Sequence, residues 1–230
     1  MSPLFEGCSV VRLLLQTLKR LDLDKTTKSV MIEIILGVYE RLKVMSEFSL
    51  EQVFCAPKDS KSDIRGKFLS RLFGIFSEDI VRIWSRSQES PYEDLGRPTI
   101  KSVSEEKGYT LDFTFRHKEY ETIYIVEMKC EIEYEGYKYL TLETPKQLHH
   151  HKNKAFQLFL DSARDKKNTI VSVKGKPTAI NGAILIWGNA TNEGKTMTRD
   201  THGIYEVLTI QGIINDLISA KNAEYAEYIT

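Results

Sequence analysis

The chain reads as α/β, of the mixed α+β type: a central mixed sheet flanked by helices, with an N-terminal helical extension. Three observations predict this. Two amphipathic patterns, with apolar residues three and four apart, open the chain. Three consecutive segments between residues 99 and 131 are rich in Thr, Tyr, Ile and Phe. After them, helical patterns alternate with short apolar runs such as "AILIWGN", the habit of a sheet covered by helices.

In chain order, helices are expected over 9–21 ("SVVRLLLQTLKRL") and 27–44 ("TKSVMIEIILGVYERLKV"), with a shorter one near 48–55. "APKDSKSD", 56–63, is polar and holds a proline, so it marks a linker between an extension over 1–60 and a second domain over 61–230. Asp63 is placed to cap a long helix over 64–86, whose apolar stripe includes Phe68, Leu72, Ile75 and Phe76. "QESPYEDLGRP" is a loop, and "TIKSVS", "YTLDFTF" and "TIYIVEMKCE" are three successive strands. "TPKQLHHHKNKAFQLFLDSAR" has a proline at its start and apolar residues at 148, 155, 156, 159 and 160, and reads as one helix. "AILIWGN" and "IYEVLTI" are strands, and "QGIINDLISAKNAEYAEY" is a closing helix. From residue 64 the order is therefore α-β-β-β-α-β-β-α.

Composition excludes several classes. With 41% hydrophobic and 10% aromatic residues, wholesale disorder is excluded. The longest apolar runs, "VVRLLL" and "MIEIILGVY", are broken by charge and too short to span a bilayer, and the opening residues carry no cleavable leader pattern. An intracellular, cytoplasmic protein with no membrane partner is the expectation. Cys8, Cys55 and Cys130 are odd in number and far apart, as free thiols in a reducing compartment would be. Trp84 and Trp187 read as core aromatics. "GNATNEGKT" follows a strand but lacks the glycine and lysine spacing of a phosphate loop, and no helix is expected after Thr196, so no nucleotide cofactor is expected.

Net charge is zero, which by itself argues against a nucleic-acid partner. Its distribution argues the other way. Residues 142–176 carry eight Lys or Arg against three acids, a surplus of five that the rest of the chain cancels. A basic patch beside an acidic centre suits a phosphate backbone. His149, His150 and His151 stand in the same segment, but neighbouring helical side chains point about 100° apart and cannot share one ion.

The acids lie in "YTLDFTFRHKEYETIYIVEMKCE". Residues two apart share a strand face, so Glu127 and Lys129 project together and Met128 opposes them. A hairpin turning near Glu119 and Tyr120 brings Asp112 roughly opposite Glu127, where paired Cβ atoms lie about 4.5–5.5 Å apart. Two carboxylates that close need compensation. A hard divalent ion held by Asp112, Glu127 and the Met128 carbonyl would supply it, and Mg²⁺ or Mn²⁺ fits such oxygens. Lys129 could then orient or deprotonate a water, or neutralise charge on a phosphate.

In this arrangement the sequence resembles the PD-(D/E)XK nuclease superfamily, the restriction-endonuclease-like fold, over about residues 64–217. Asp112 stands at the acid of the first motif, and "VEMKC" puts Glu127 and Lys129 at the E-x-K positions; Leu111 replaces the proline of the family name. The resemblance implies a Mg²⁺-dependent DNA endonuclease that leaves 5′-phosphate and 3′-hydroxyl ends, working as a homodimer. It also implies a helix acid behind the metal, for which "FSEDIVR" offers Glu78 before Asp79. One branch of the family adds a catalytic Gln and, four residues on, a Tyr; here Gln147 is present and His151 stands for the Tyr. Spacing along one helix would align Gln147, His151 and Lys154, and Lys146, His151, Lys152 and Lys154 are the candidate DNA contacts. Structure-directed or exonucleolytic action, and a non-cleaving DNA-binding protein, are the rival expectations.

Overall fold

A computed structural model describes residues 63–129 and 140–229 of the chain, which divides into two compact units, Met1–Val53 and Phe54–Thr230. The helices expected over 9–21, 27–44 and 48–55, most of the linker, and Cys8, Cys55 and Cys130 lie outside the described residues.

The long helix α1 spans Asp63–Arg86. Its buried face departs from the expected one at two positions, while Phe76 of that stripe is half-buried against Phe73. Leu72 and Ile75 are 46% and 61% exposed, while Phe73, Ile80, Ile83 and Trp84 are buried. The true stripe runs 73-77-80-84, a 4-3-4 spacing, and passes through buried Ser77. A serine in the middle of the stripe hides it from a hydrophobicity count.

The main sheet has the order β1-β4-β5-β9-β11. Its strands are β1 (Tyr92–Asp94), β4 (Phe113–His117), β5 (Ile123–Lys129), β9 (Gly182–Trp187) and β11 (Glu206–Thr209). β1 and β5 run antiparallel to β4, whereas β9 is parallel to β5 and β11 to β9. Every residue of β9 is buried, as a central parallel strand covered on both faces requires. The β4–β5 hairpin turns over residues 118–120, as expected, and closes with Glu121 at φ 56°.

Three strand expectations change. β1 lies inside the segment read as a loop, because three residues between Pro91 and Gly96 are too few to show a period. "TIKSVS" holds β2 (Pro98–Ser102), which belongs not to the main sheet but to a second, antiparallel sheet of order β3-β2-β7-β8. "YTLDFTF" is two strands: β3 (Tyr109–Thr110) pairs with β2, and β4 pairs with β5. β7 (Thr169–Val173) and β8 (Lys176–Pro177) form an unforeseen hairpin, whose turn at Lys174 and Gly175 takes φ 51° and 78°. A short parallel pair, β6 (Thr141–Leu142) and β10 (Asn189–Ala190), stands apart.

The expected helix over 144–164 is also two elements. A 3₁₀ helix, Pro145–His150, is followed by α2, Lys154–Arg164, whose cap Asn153 is extended and accepts from Phe156 N. α2 serves both sheets. Phe156, Leu158, Phe159 and Leu160 join one buried cluster with Ile125, Leu185 and Trp187 of the main sheet and Ile100 and Val171 of the smaller one. α1 packs against α4 (Ile210–Ser219), and Trp84 Nε1 donates to Asp216 Oδ2 at 3.2 Å between them. Lys221 at φ 51° ends that helix, so the closing helix is two, with α5 over Ala223–Ile229.

α3, Asn192–His202, was not expected, because "NEGKTMTRDTH" offers no apolar stripe; it does carry a Thr191 N-cap and a left-handed Gly203. Alanine in a helix is ordinarily about 1 kcal/mol better than glycine. At Gly194 the sign reverses, since a Cβ there would stand 2.2 Å from the Leu142 carbonyl oxygen. Gly194→Ala is expected to destabilise by about 2 kcal/mol, read as a fall in Tm. No helix among the described residues is long and apolar enough to cross a membrane.

Candidate active site

The acids meet where the chain changes sheets. Leu111 N still donates to Pro98 O of the smaller sheet, at 3.0 Å, while Phe113 is already paired with Val126 of the main one. Leu111 is wholly buried and anchors the crossing. Asp112, between the two ladders, is therefore free of strand pairing, and its Oδ2 accepts from Met128 N at 2.8 Å. A single crossing residue thus ties the first acid to the middle of the E-x-K triplet.

On β5, Glu127 and Lys129 share the face that looks toward α2. Lys129 Nζ donates to Glu127 Oε1 at 2.5 Å and to the Met128 carbonyl at 3.3 Å, and lies 5.5 Å from the centre of the Phe156 ring. Glu127 is 5% exposed, and its Oε2 has no hydrogen-bond partner among the described residues. A buried carboxyl oxygen left unpaired is costly. Burial pushes the Glu127 carboxyl up from the ordinary 4.5 to about 7, and Asp112 adds to the push, while Lys129 pulls against it. Near neutral pH the group is thus poised between its acid and carboxylate forms, and a cation bound there would favour the carboxylate.

His151 closes the site from behind. It is 6% exposed, with its ring 5.2 Å from Phe156 and 5.8 Å from Trp187, the residue paired with Lys129 across β5 and β9. Burial first, then His150 and Lys129, lower its proton affinity from 6.5 to about 3. A neutral imidazole therefore packs beside the ammonium at physiological pH.

Glu78 and Asp79 on α1 are pulled in different directions. Arg97 Nη2 lies 3.3 Å from Asp112 Oδ1 and 3.8 Å from Glu78 Oε1, so one guanidinium links the helix acid to the strand acid. Arg82 holds Glu78 from the other side at 2.8 Å. Asp79 shares Arg82, at 3.0 Å, but its other partner is the Tyr228 hydroxyl, at 3.2 Å, and not Arg97.

The remaining candidates are dispersed. Gln147 caps the 3₁₀ turn: Oε1 accepts from Glu143 N and Thr144 N, and Nε2 donates to Thr141 O. Lys146 and Lys152 are exposed, and Lys154, also exposed, pairs with Glu105 at 2.9 Å. The expected stripe of Gln147, His151 and Lys154 does not form, because the extended Asn153 breaks the helix between them. Nor is His151 placed as an exposed DNA contact; it belongs to the core. Sequence reasoning missed Arg97 altogether, and the only signal at that position was a basic residue between the turn formers Gly96 and Pro98.

Among the described residues, no three His, Cys, Asp or Glu side chains are placed together to hold a metal. What the site offers is two carboxylates, Asp112 and Glu127, and one carbonyl. Mg²⁺ is often bound by one or two carboxylates with its other positions left to water and substrate phosphate, and the unpaired Glu127 Oε2 is a suitable donor. No family model matches the chain, and neither a curated protein nor a solved structure matches it.

Proposed function

We propose that the chain is a Mg²⁺-dependent DNA endonuclease of the PD-(D/E)XK, restriction-endonuclease-like kind, acting as a homodimer. The observation that carries this reading is the buried Glu127, bound on one oxygen by Lys129 and unpaired on the other, beside an Asp112 anchored to Met128 N. Support also comes from element order: a long helix, a hairpin bearing the acids, a helix, then a strand parallel to the E-x-K strand.

Asp112, Glu127 and the Met128 carbonyl are the groups that would hold the ion. Bound there, it would polarise a phosphoryl oxygen and acidify a water. Lys129 has a separate task. Its ammonium rests against Phe156 and is only 17% exposed, so it presents a fixed positive charge to the attacking water or to the phosphate. Neutral His151 adds no second charge at that point. The reaction would leave 5′-phosphate and 3′-hydroxyl ends.

The test is cleavage of supercoiled plasmid, linear duplex, single strand, a fork and a four-way junction with Mg²⁺ or Mn²⁺. Ion-dependent cutting is the expected result, and the preferred DNA distinguishes an endonuclease on duplex from a structure-directed one. Binding without cutting would favour a scaffold.

A pH dependence follows. The Glu127 carboxyl is raised from 4.5 to about 7, so the stability it contributes to the ion-free protein is full below pH 4.5 and is lost as pH rises through 7. His151, lowered from 6.5 to about 3, works oppositely, its stability being present above 6.5 and lost as pH falls through 3. Ion affinity isolates the first group better than stability does. Because the ion needs the carboxylate, Mn²⁺ affinity should rise about tenfold per pH unit up to about 7 and then level, as calorimetric titration would read. A flat profile would remove Glu127 from the ion site.

A further inference from the structure

Among the charged groups that this chemistry leaves unused, Arg97 is the one that touches Asp112. It sits on the short connection from β1 to β2, which crosses between the sheets beside the crossing that carries Asp112. The connection is held in shape. Asp94 Oδ1 accepts from Gly96 N at 2.8 Å, Leu95 N donates to Thr114 O at 2.8 Å, and Gly96 takes φ 106°, where a side chain would be strained. Lys174, from the β7–β8 turn, runs alongside, since a Cβ on Gly96 would meet its Cε at 3.7 Å. The Arg97 side chain itself is 53% exposed, with Nη2 between Asp112 Oδ1 and Glu78 Oε1.

A guanidinium at 3.3 Å from Asp112 and a divalent ion on the same carboxylate repel one another. The repulsion is relieved when the guanidinium takes an anion of its own. Its planar fork fits two phosphate oxygens as a single ammonium does not. We propose that Arg97 binds the substrate's phosphate: it neutralises Glu78 and Asp112 while the ion is absent, and grips non-bridging oxygens of the scissile phosphate once ion and DNA are in place. This rests on the nuclease reading, and adds to it the residue that recognises the reacting group. Arg97 thereby keeps two acids from repelling each other in the empty site without occupying it when loaded.

The experiment uses the full chain and the variants Arg97→Ala, Arg97→Gln and Arg97→Lys. Mn²⁺ binding without DNA is followed by electron paramagnetic resonance, and cleavage is measured on the DNA that the wild type cuts best. The ion pairs Arg97 makes are half-exposed, so the variants should keep the wild-type Tm within a few degrees. The expected result is Mn²⁺ binding as tight as the wild type's or tighter, because a competing cation is gone, with cleavage about 100-fold slower or worse and only partly restored by lysine. Weaker Mn²⁺ binding in Arg97→Ala would overturn the proposal, for the residue would then be shaping the ion site. Cleavage by Arg97→Ala and Arg97→Gln within about threefold of an active wild type would overturn it alone. A wild type that neither binds Mn²⁺ nor cuts would overturn the nuclease reading with it.

Discussion

Lys129→Met should lower ion-dependent DNA cleavage by about a thousandfold while leaving Mn²⁺ bound at about pH 8.5; Glu127→Gln should abolish both. The two differ because of what each side chain touches. Lys129 donates to Glu127 Oε1 and to the Met128 carbonyl, both on the protein's own ion-holding set, and its remaining donor capacity is what it can offer to substrate. Methionine keeps the hydrocarbon stem against Phe156 and removes only the charge. It also removes the partner that most lowers the Glu127 proton affinity, so the carboxyl should stay protonated to higher pH. The rise of Mn²⁺ affinity with pH should therefore move upward in Lys129→Met, which a merely structural lysine would not cause. Cleavage by Lys129→Met within about tenfold of wild type would take the lysine out of the chemistry.

The largest effect on stability is expected at Phe156. It is wholly buried, its ring lies 5.7 Å from Phe159 and 5.2 Å from His151, and it forms the apolar wall beside Lys129. Phe156→Ala should cost about 3–5 kcal/mol, a large share of the total stability of a domain. Urea unfolding measures it directly. Ile75→Ala is the control, because that residue is 61% exposed and its loss should change stability by less than about 0.5 kcal/mol. Equal costs at the two positions would mean that α1 buries a different face from the one described.

The sequence made the hairpin legible because its residue types act locally. A run of Thr, Tyr, Ile and Val extends the backbone, "RHKEYE" turns it, and period two then places Glu127 with Lys129. β9 was legible for the same reason, as an unbroken apolar run. Sheet membership was not. Whether "TIKSVS" joins the acids' sheet or another is decided by its pairing with residues 169–173, some 70 positions on, and no local pattern states it. The same separation hid the break at Leu111–Asp112, since a strand that changes partners keeps its β-forming composition. α3 was missed because its polar sequence depends on caps rather than a stripe. His151 was misread because a histidine's burial is set by what packs on it, here Phe156 and Trp187, and not by its neighbours in sequence. Arg97 lay in a segment read as irregular, where no period exists to interpret.

The joint at Thr209 has a further meaning. It is the last residue of β11 and the cap of α4, and its hydroxyl accepts from Gly212 N at 3.0 Å, so strand passes into helix with no intervening residue. The two periodicities are locked in phase. Val207 and Thr209 face inward on the strand, and Ile210, Ile213, Ile214 and Leu217 do so on the helix that begins at once. Such a joint has no slack. One residue inserted there would rotate the helix by about 100° against the sheet and turn its isoleucines toward solvent, so this is a place where chain length itself is under constraint and new loops cannot be grown.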